Sequence, residues 1–449
     1  VHDGPVRVLA ADLGASSIRV SAIDLDERPP VVRELHRFPH GPIRDGSGSL
    51  RWDWRAIVAE VERGLEAGLA SGAVAGIGID AWGVDYGLLG PDGELLSPPY
   101  SYRDGRTADY RVVAERLGAR DLFGATGVLP MEIDTVFQLA AHDAEELERA
   151  SRFLMLPELL GHRLGAQPIG EFTSAGTTGL VDLATDTWST ALIDGQLGID
   201  PAIFPPIRRA GSALGAWRGI PINLVGSLDT ASAVVAMGPS PGPGAAFVST
   251  GTWIIVGAET DAALTTDEAW DEGFSNERGA LGGFRLLKNV MGFWILDRCR
   301  ASWSDGDWPA LSDAARHADA GGRTFDASDD RFFNPPDMEA EVRAAARLPH
   351  SAGPDVVVRC ILESIAATVA EAIAALGRLL GAPVDELYVV GGGTRMPLFV
   401  ELLSEACAIE AHVGSSEATS LGNALVQGIA LGRFEDLRSA RAALARTPV

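Results

Sequence analysis

The stretch VRVLAADLGASSIRVSAIDLD, residues 6–26, decides the fold, because it returns in outline as AAFVSTGTWIIVGAE at residues 245–259. Each copy is an apolar, β-branched run, a corner of Gly, Ser and Thr, and a second run of strand character. One strand–corner–strand unit near each end of a long chain predicts two halves of the same design. In the first half the apolar spacing of Ile57, Val58, Val61, Leu65 and Leu69 predicts a helix from Trp54 to Leu69 closed by Gly72, followed by a buried strand in AVAGIGIDAWG. Strand, strand, helix, strand is an α/β pattern. In the second half a long helix is predicted over Asp355–Leu380, then a strand in ELYVVGGG and a helix in MPLFVELLSEACA.

The 449 residues exceed one ordinary core at roughly 100 to 200 residues per domain, so two large domains are expected. GPSPGPG, residues 238–244, is the best linker, which sets the domains at 1–237 and 245–449. Between Tyr110 and Gly198 the pattern reads as mainly helical, including VFQLAAHDAEELERA and a Leu-rich turn at FLMLPELL. The chain is 46% hydrophobic and 22% charged, with no run long enough to span a bilayer and no charged leader before an apolar block, so a cytoplasmic protein without a membrane partner is expected. A net charge of -24 disfavours nucleic acid, which needs clustered Lys and Arg. Cys299, Cys360 and Cys407 stand apart without metal-ligand spacing. Lys288 is the single lysine in the chain.

Four places carry chemistry. In ADLGASSIR, Asp12 precedes a corner whose N–H groups suit phosphate oxygens while the carboxylate suits Mg²⁺; the plain alternative is a β-hairpin with a DxG turn. STGTW, residues 249–253, carries the same two readings. VVGGGTRMP, residues 389–397, sets three glycines between a strand and a helix, where a backbone can approach a nucleotide closely; it matches neither GxGxxG nor the P-loop. VGSLDTASAVVAM, residues 225–237, puts Asp229 at the mouth of a small-residue helix, as a proton acceptor or as a helix cap. In GIDAWGVDYG, Asp80 and Asp85 read as the end of a strand and a turn, and Arg103, Asp104 and Arg106 as a solvated ion-pair cluster.

With these segments quoted, the chain resembles the FGGY family of carbohydrate kinases, and within it the rhamnulokinases, over nearly its whole length. The carriers are DLGASSIR, GIDAWGVDYGLLGPDGELLSPPYSYRDGRT, EFTSAGTTGLVD, GSLDTASA, FVSTGTW, RLLKNVMGFW, LYVVGGGTRMP and SSEATSLGNALVQGIA, in that order. The resemblance implies two ribonuclease H-like domains of the actin and hexokinase type with ATP and sugar in a cleft between them. It implies Asp229 as catalytic base, Asp12 near Mg²⁺, and Ala15, Ser16, Ser17, Arg19, Gly251, Thr252, Asn289, Asp297, Gly391, Gly392 and Gly393 on the nucleotide. Trp82, Gly83, Leu228 and Thr230 match positions that approach the sugar. Three departures stand out: Leu228 where rhamnulokinases usually have His, Ile18 where Gly is usual, and Asp297 where Gln is usual. The expected reaction is ATP-dependent phosphorylation of L-rhamnulose at O1, by a monomer or homodimer. Kinases for L-fuculose, xylulose, ribulose or a polyol are the alternatives, and a non-catalytic sugar or nucleotide sensor is the reading from another class.

Overall fold

A computed structural model describes residues 6–301, 303 and 308–445. The chain forms two compact units that are not contiguous in sequence: residues 1–240, 260–286 and 419–449 make one, and residues 241–259 and 287–418 the other.

The first unit is built on strands β1 (Arg7–Leu13), β2 (Ser17–Asp24), β3 (Val31–Pro39), β4 (Gly76–Ala81), β5 (Ala213–Trp217) and β6 (Ile220–Asn223), in the sheet order β5-β6-β4-β1-β2-β3. The hairpin β1–β2 is antiparallel with Leu13 opposite Ile18, and β4 runs parallel to β1 with Asp12 opposite Asp80. Ile18, where a glycine is usual in the family resembled, is fully buried. Helix α1 (Trp54–Ala70) forms because Asp53 caps it, accepting from Ala56 N–H at 3.1 Å, and because Ile57, Val58, Val61 and Leu65 fall on one face. That face joins Leu9, Ile18, Val20 and Ile77 in the core. Ser71 is the C-cap residue; Gly72, the glycine expected there, follows it at φ +143°.

The stretch between the sheet strands corrects the expected helical run. VFQLAAHDAEELERA divides into Thr135–Ala140 and Ala144–Arg149, and the supposed turn in FLMLPELL is a strand, Arg152–Met155, leading directly into a helix, Leu156–Arg163. That strand pairs antiparallel with Tyr86–Leu89. Short helix α2 (Phe172–Gly176) and helix α3 (Asp229–Val235) complete the parts needed for the site.

The second unit repeats the plan with β7 (Ala245–Thr250), β8 (Trp253–Thr260), β9 (Phe284–Met291), β10 (Glu386–Gly391) and β11 (Ala411–Val413), in the order β9-β8-β7-β10-β11. Again an antiparallel hairpin, β7–β8, is flanked by a parallel strand, β10, and β11 is parallel to β10. Helix α4 (Pro354–Leu380) starts with proline in its first turn and ends at Gly381 in the left-handed conformation, one residue longer than its sequence reading. Helix α5 (Ala418–Ala430) returns the chain to the first unit, where Gln427 Nε2 donates to Leu9 O at 2.9 Å.

Candidate active site

In the first unit, β1 carries a carboxylate one residue before its end. Asp12 is buried, and its neighbour across the parallel ladder, Asp80, is fully so. Arg19 lies opposite Asp12 on β2, with Nη1 3.7 Å from Oδ2. Asp80 Oδ2 accepts from Asn423 Nδ2 at 2.6 Å, whereas its buried Oδ1 has no hydrogen-bond partner. Burial and then the charge of Asp12 push Asp80 well above the usual carboxylate range. Asp80 does stand at the end of its strand, as read, and there it faces Asp12 across the ladder.

Asp229 adds a third carboxylate. Leu228, in extended backbone, takes the cap position of α3 and Asp229 is the first helical residue, so the cap reading of Asp229 is displaced by one position. Its Oδ1 accepts from Thr230 N–H at 2.6 Å. Burial and then Asp12 push Asp229 up to about 7, against the opposing pull of the Thr230 N–H and Arg285. Arg285 is itself buried, donating to Thr230 Oγ1 at 3.0 Å and to Glu277 Oε2 at 2.6 Å. A carboxylate titrating near neutrality beside a buried cation is suited to proton acceptance.

Trp82 and Gly83 leave β4 beside this centre. Trp82 N–H donates to Leu13 O at 3.0 Å, and the Trp82 and Trp52 rings lie 4.4 Å apart. Both indole N–H groups donate to Asp85 Oδ2, at 2.9 and 2.7 Å, and Gln138 Nε2 donates to Oδ1. Asp85 does lie in the turn, its N–H donating to Gly83 O at 2.9 Å, and it is also a fully buried acceptor that fixes an indole wall, its pKa pushed up to about 6 by burial. His40 packs about equally against both indoles, at 5.4 and 5.5 Å, and its Nε2–H donates to Gly14 O at 2.8 Å. The same residue therefore touches the aromatic wall and the first corner. The expected solvated cluster is also corrected: Asp104 is buried and accepts from Leu50 N–H, and Arg106 donates to Gln138 Oε1 at 2.6 Å.

Leu228 is buried behind Gly83, where an added Cβ would come within 3.0 Å of Leu228 Cδ1 and 3.2 Å of Thr177 Oγ1. Ala15 and Ser17 are half-buried in the first corner and Ser16 is exposed. Gly14 N–H closes the corner on Ser17 O.

The second unit gathers its own group of the expected residues. Gly251 and Thr252 form the β7–β8 corner, and Thr250 at its edge is opposite Gly391 on β10. Gly391 adopts φ +87°, and an added Cβ would lie 2.4 Å from Thr250 O; at Gly393 it would lie 2.5 Å from Phe293 Cε2. Gly393 N–H donates to Thr250 Oγ1 at 2.9 Å, while Gly392 is exposed. Asn289 lies on β9, and Asp297 projects outward from the helix Trp294–Arg300, near Arg300.

The N-terminal domain of the FGGY family of carbohydrate kinases matches residues 7–235, and the C-terminal domain of that family matches residues 246–431. The chain belongs to the FGGY family of carbohydrate kinases. Among curated relatives of this FGGY kinase is a rhamnulokinase of Enterobacter sp. (strain 638), 35% identical over 96% of this chain and 90% of the relative. Another is a rhamnulokinase of Bacteroides thetaiotaomicron, 34% identical over 98% and 93%. Among solved structures, gluconate kinase from Lactobacillus acidophilus superposes with a TM-score of 0.80 at 17% identity, covering 97% of this chain and 92% of that one. The chain is therefore a sugar kinase that uses ATP, with the two-part α/β fold of its family.

Several residues of this candidate site are not evident in the sequence. Asp80 has a visible signal, a charged residue inside the apolar run GIGID, whereas Arg285, His40 and Trp52 have none, being brought in from distant segments. Asp12 raises both Asp80 and Asp229, and Asp229 also raises Asp80, which Arg19 opposes. Among the described residues no three His, Cys, Asp or Glu side chains form a complete metal cage. No helix among the described residues is long and apolar enough to cross a membrane.

Proposed function

We propose that this enzyme transfers the γ-phosphoryl group of ATP to O1 of L-rhamnulose, giving L-rhamnulose 1-phosphate and ADP. The observation that carries the sugar is the identity of about a third, over nearly the whole length, with rhamnulokinases. Asp229 accepts the proton of the O1 hydroxyl as the oxygen bonds to phosphorus and the bond to the leaving ADP breaks. A base of this kind contributes about 10² to 10⁴-fold, the rest coming from alignment and charge. Asp12 holds Mg²⁺, which when bound offsets phosphate charge. Arg19 and the corner of Ala15, Ser16 and Ser17 bind phosphate oxygens from residues 1–237; Gly251, Thr252, Asn289 and Gly391 to Gly393 bind the nucleotide from residues 245–449. Trp82, Gly83, Leu228 and Thr230 line the sugar, and Asp297 adds a contact to the nucleotide.

Leu228 favours a second reading within the same chemistry, a ketose such as L-fuculose, xylulose or ribulose, because its apolar side chain supplies no hydrogen bond where rhamnulokinases place His. The test is phosphorus and proton NMR of the product formed from L-rhamnulose and Mg-ATP. A phosphate coupled to the C1 protons supports the proposal; no sugar phosphate, with another ketose consumed instead, moves the substrate.

A further inference from the structure

The residues just before Asp229 are fixed by a buried carboxylate far away in sequence. Glu171 is fully buried, and its Oε2 accepts from Thr173 N–H at 2.8 Å, Thr173 Oγ1 at 2.5 Å, Ser174 N–H at 3.2 Å and Ser227 N–H at 3.0 Å. The Thr173 hydroxyl, turned by its own donation to Glu171, accepts from Leu228 N–H at 3.1 Å. On the opposite side Ser227 O accepts from Ala81 N–H at 2.8 Å, and Leu228 O accepts from Ser232 N–H at 3.0 Å. Each backbone donor and acceptor of Ser227 and Leu228 is thereby assigned to a partner, and two of the four converge on Glu171 and Thr173.

A lone N-cap does not account for this arrangement. Two of the four bonds to Oε2 cap α2, a helix of five residues, but the bond to Ser227 leaves that helix for the segment that delivers Asp229. A neutral side chain of similar shape would cap a short helix adequately, whereas four donors converging on one oxygen call for a carboxylate. Beside it, Glu158 is also buried, accepting from Ser174 Oγ at 3.0 Å; Glu158 Oε2 and Glu171 Oε1 have no hydrogen-bond partner. Burial and then Glu171 push Glu158 up to about 8, and burial pushes Glu171 up to about 7 against the pull of its donors.

We propose that Glu171, acting through Thr173, is a positioning residue for catalysis: it fixes the backbone of Ser227 and Leu228 and thereby aims Asp229 at the sugar hydroxyl. Neither side chain touches substrate. The proposal rests on the reading of Asp229 as the base, so its test needs one readout that requires turnover and one that does not.

The variants are Thr173→Val, which keeps the shape and removes the hydroxyl, Glu171→Gln, which keeps the volume and removes the charge, and Thr173→Ser as the conservative control. In full-length enzyme, T173V and E171Q lower kcat per folded molecule by about 10- to 100-fold, as expected for a group displaced by about 1 Å, with KM for sugar and ATP within about twofold of wild type. T173S restores most of kcat. In the ligand-free protein, carbon-13 NMR of the Asp229 carboxyl shows its titration midpoint moved in T173V and E171Q and unmoved in T173S. The proposal is overturned if the two variants fold and keep both kcat and the Asp229 midpoint, or if their loss of activity matches their unfolded fraction. If wild type turns over no sugar while the midpoint still moves, positioning stands and the assignment of the reaction falls.

Discussion

Asp12 and Asp80 are register partners on adjacent parallel strands, two buried carboxylates side by side, with the Asp12 charge also raising Asp229. Like charges held this close cannot all ionise cheaply, and the site is tuned by that repulsion.

The rate should depend on pH in one direction at the acid end. Asp229 acts only when ionised, and its folded value is about 7. In ligand-free enzyme the group that governs kcat/KM is therefore half-ionised near pH 7, and kcat/KM should rise with pH up to that value and level above it. Initial rates from pH 5 to 9 check this; a profile flat from pH 5 upward would assign the proton to another group.

Asp229 also lowers the stability of the free enzyme. The folded chain holds this proton up to about pH 7, but the unfolded chain loses it near 3.8. Between those values the folded state binds more protons, so stability falls as pH rises and the deficit is complete above 7. Asp229→Asn removes the deficit. At pH 8 the variant should melt above wild type, by about 2–4 °C for each kcal/mol regained, and at pH 4 the two should coincide. Calorimetry at both pH values measures the difference.

Arg285 opposes the rise of Asp229 and anchors Thr230. Arg285→Gln should shift the acid limb of the rate profile to higher pH. It should also destabilise the fold by roughly 3–5 kcal/mol, the cost of breaking a buried pair, here by leaving Glu277 without its partner. Urea unfolding and the pH profile read the two effects separately.

The glycines of the second unit separate packing from binding. Gly391→Ala puts a side chain at φ +87° and 2.4 Å from Thr250 O, and should cost about 1–3 kcal/mol of stability. At Gly392 the nearest atom to an added Cβ is Thr250 O at 3.9 Å, so Gly392→Ala should keep the melting temperature of wild type and raise KM for ATP. Thermal melts and ATP titrations of both variants check the contrast.

Leu228→His should move sugar preference toward L-rhamnulose by about tenfold in kcat/KM relative to the other ketoses, the worth of roughly one hydrogen bond. An unchanged preference across a ketose panel would show that this position is wall and not contact.

The two hairpins were legible because each is a local pattern: a strand, a corner and a strand contiguous in sequence, at β1–β2 and again at β7–β8. Asp229 was legible for the same reason, since its helix begins where the apolar run begins. What escaped was set by contacts between distant segments. Asp85 reads as a turn residue, which says nothing of the convergence of Trp52, Trp82 and Gln138 on it, and nothing in the sequence marks Glu171 as the acceptor of Ser227 N–H across 56 residues. VFQLAAHDAEELERA carries helical periodicity throughout, but Asp143 caps a second helix by accepting from Glu146 N–H at 2.9 Å, and that local bond ended the first.

The measurement that tests the central claim most directly is sugar-dependent ADP release from Mg-ATP and L-rhamnulose, run in parallel on wild type and Asp229→Asn. The account predicts turnover by wild type and a loss of at least about 10²-fold in the variant, with ATP still bound. ADP release by wild type that ignores L-rhamnulose, or a variant as active as wild type, would contradict it.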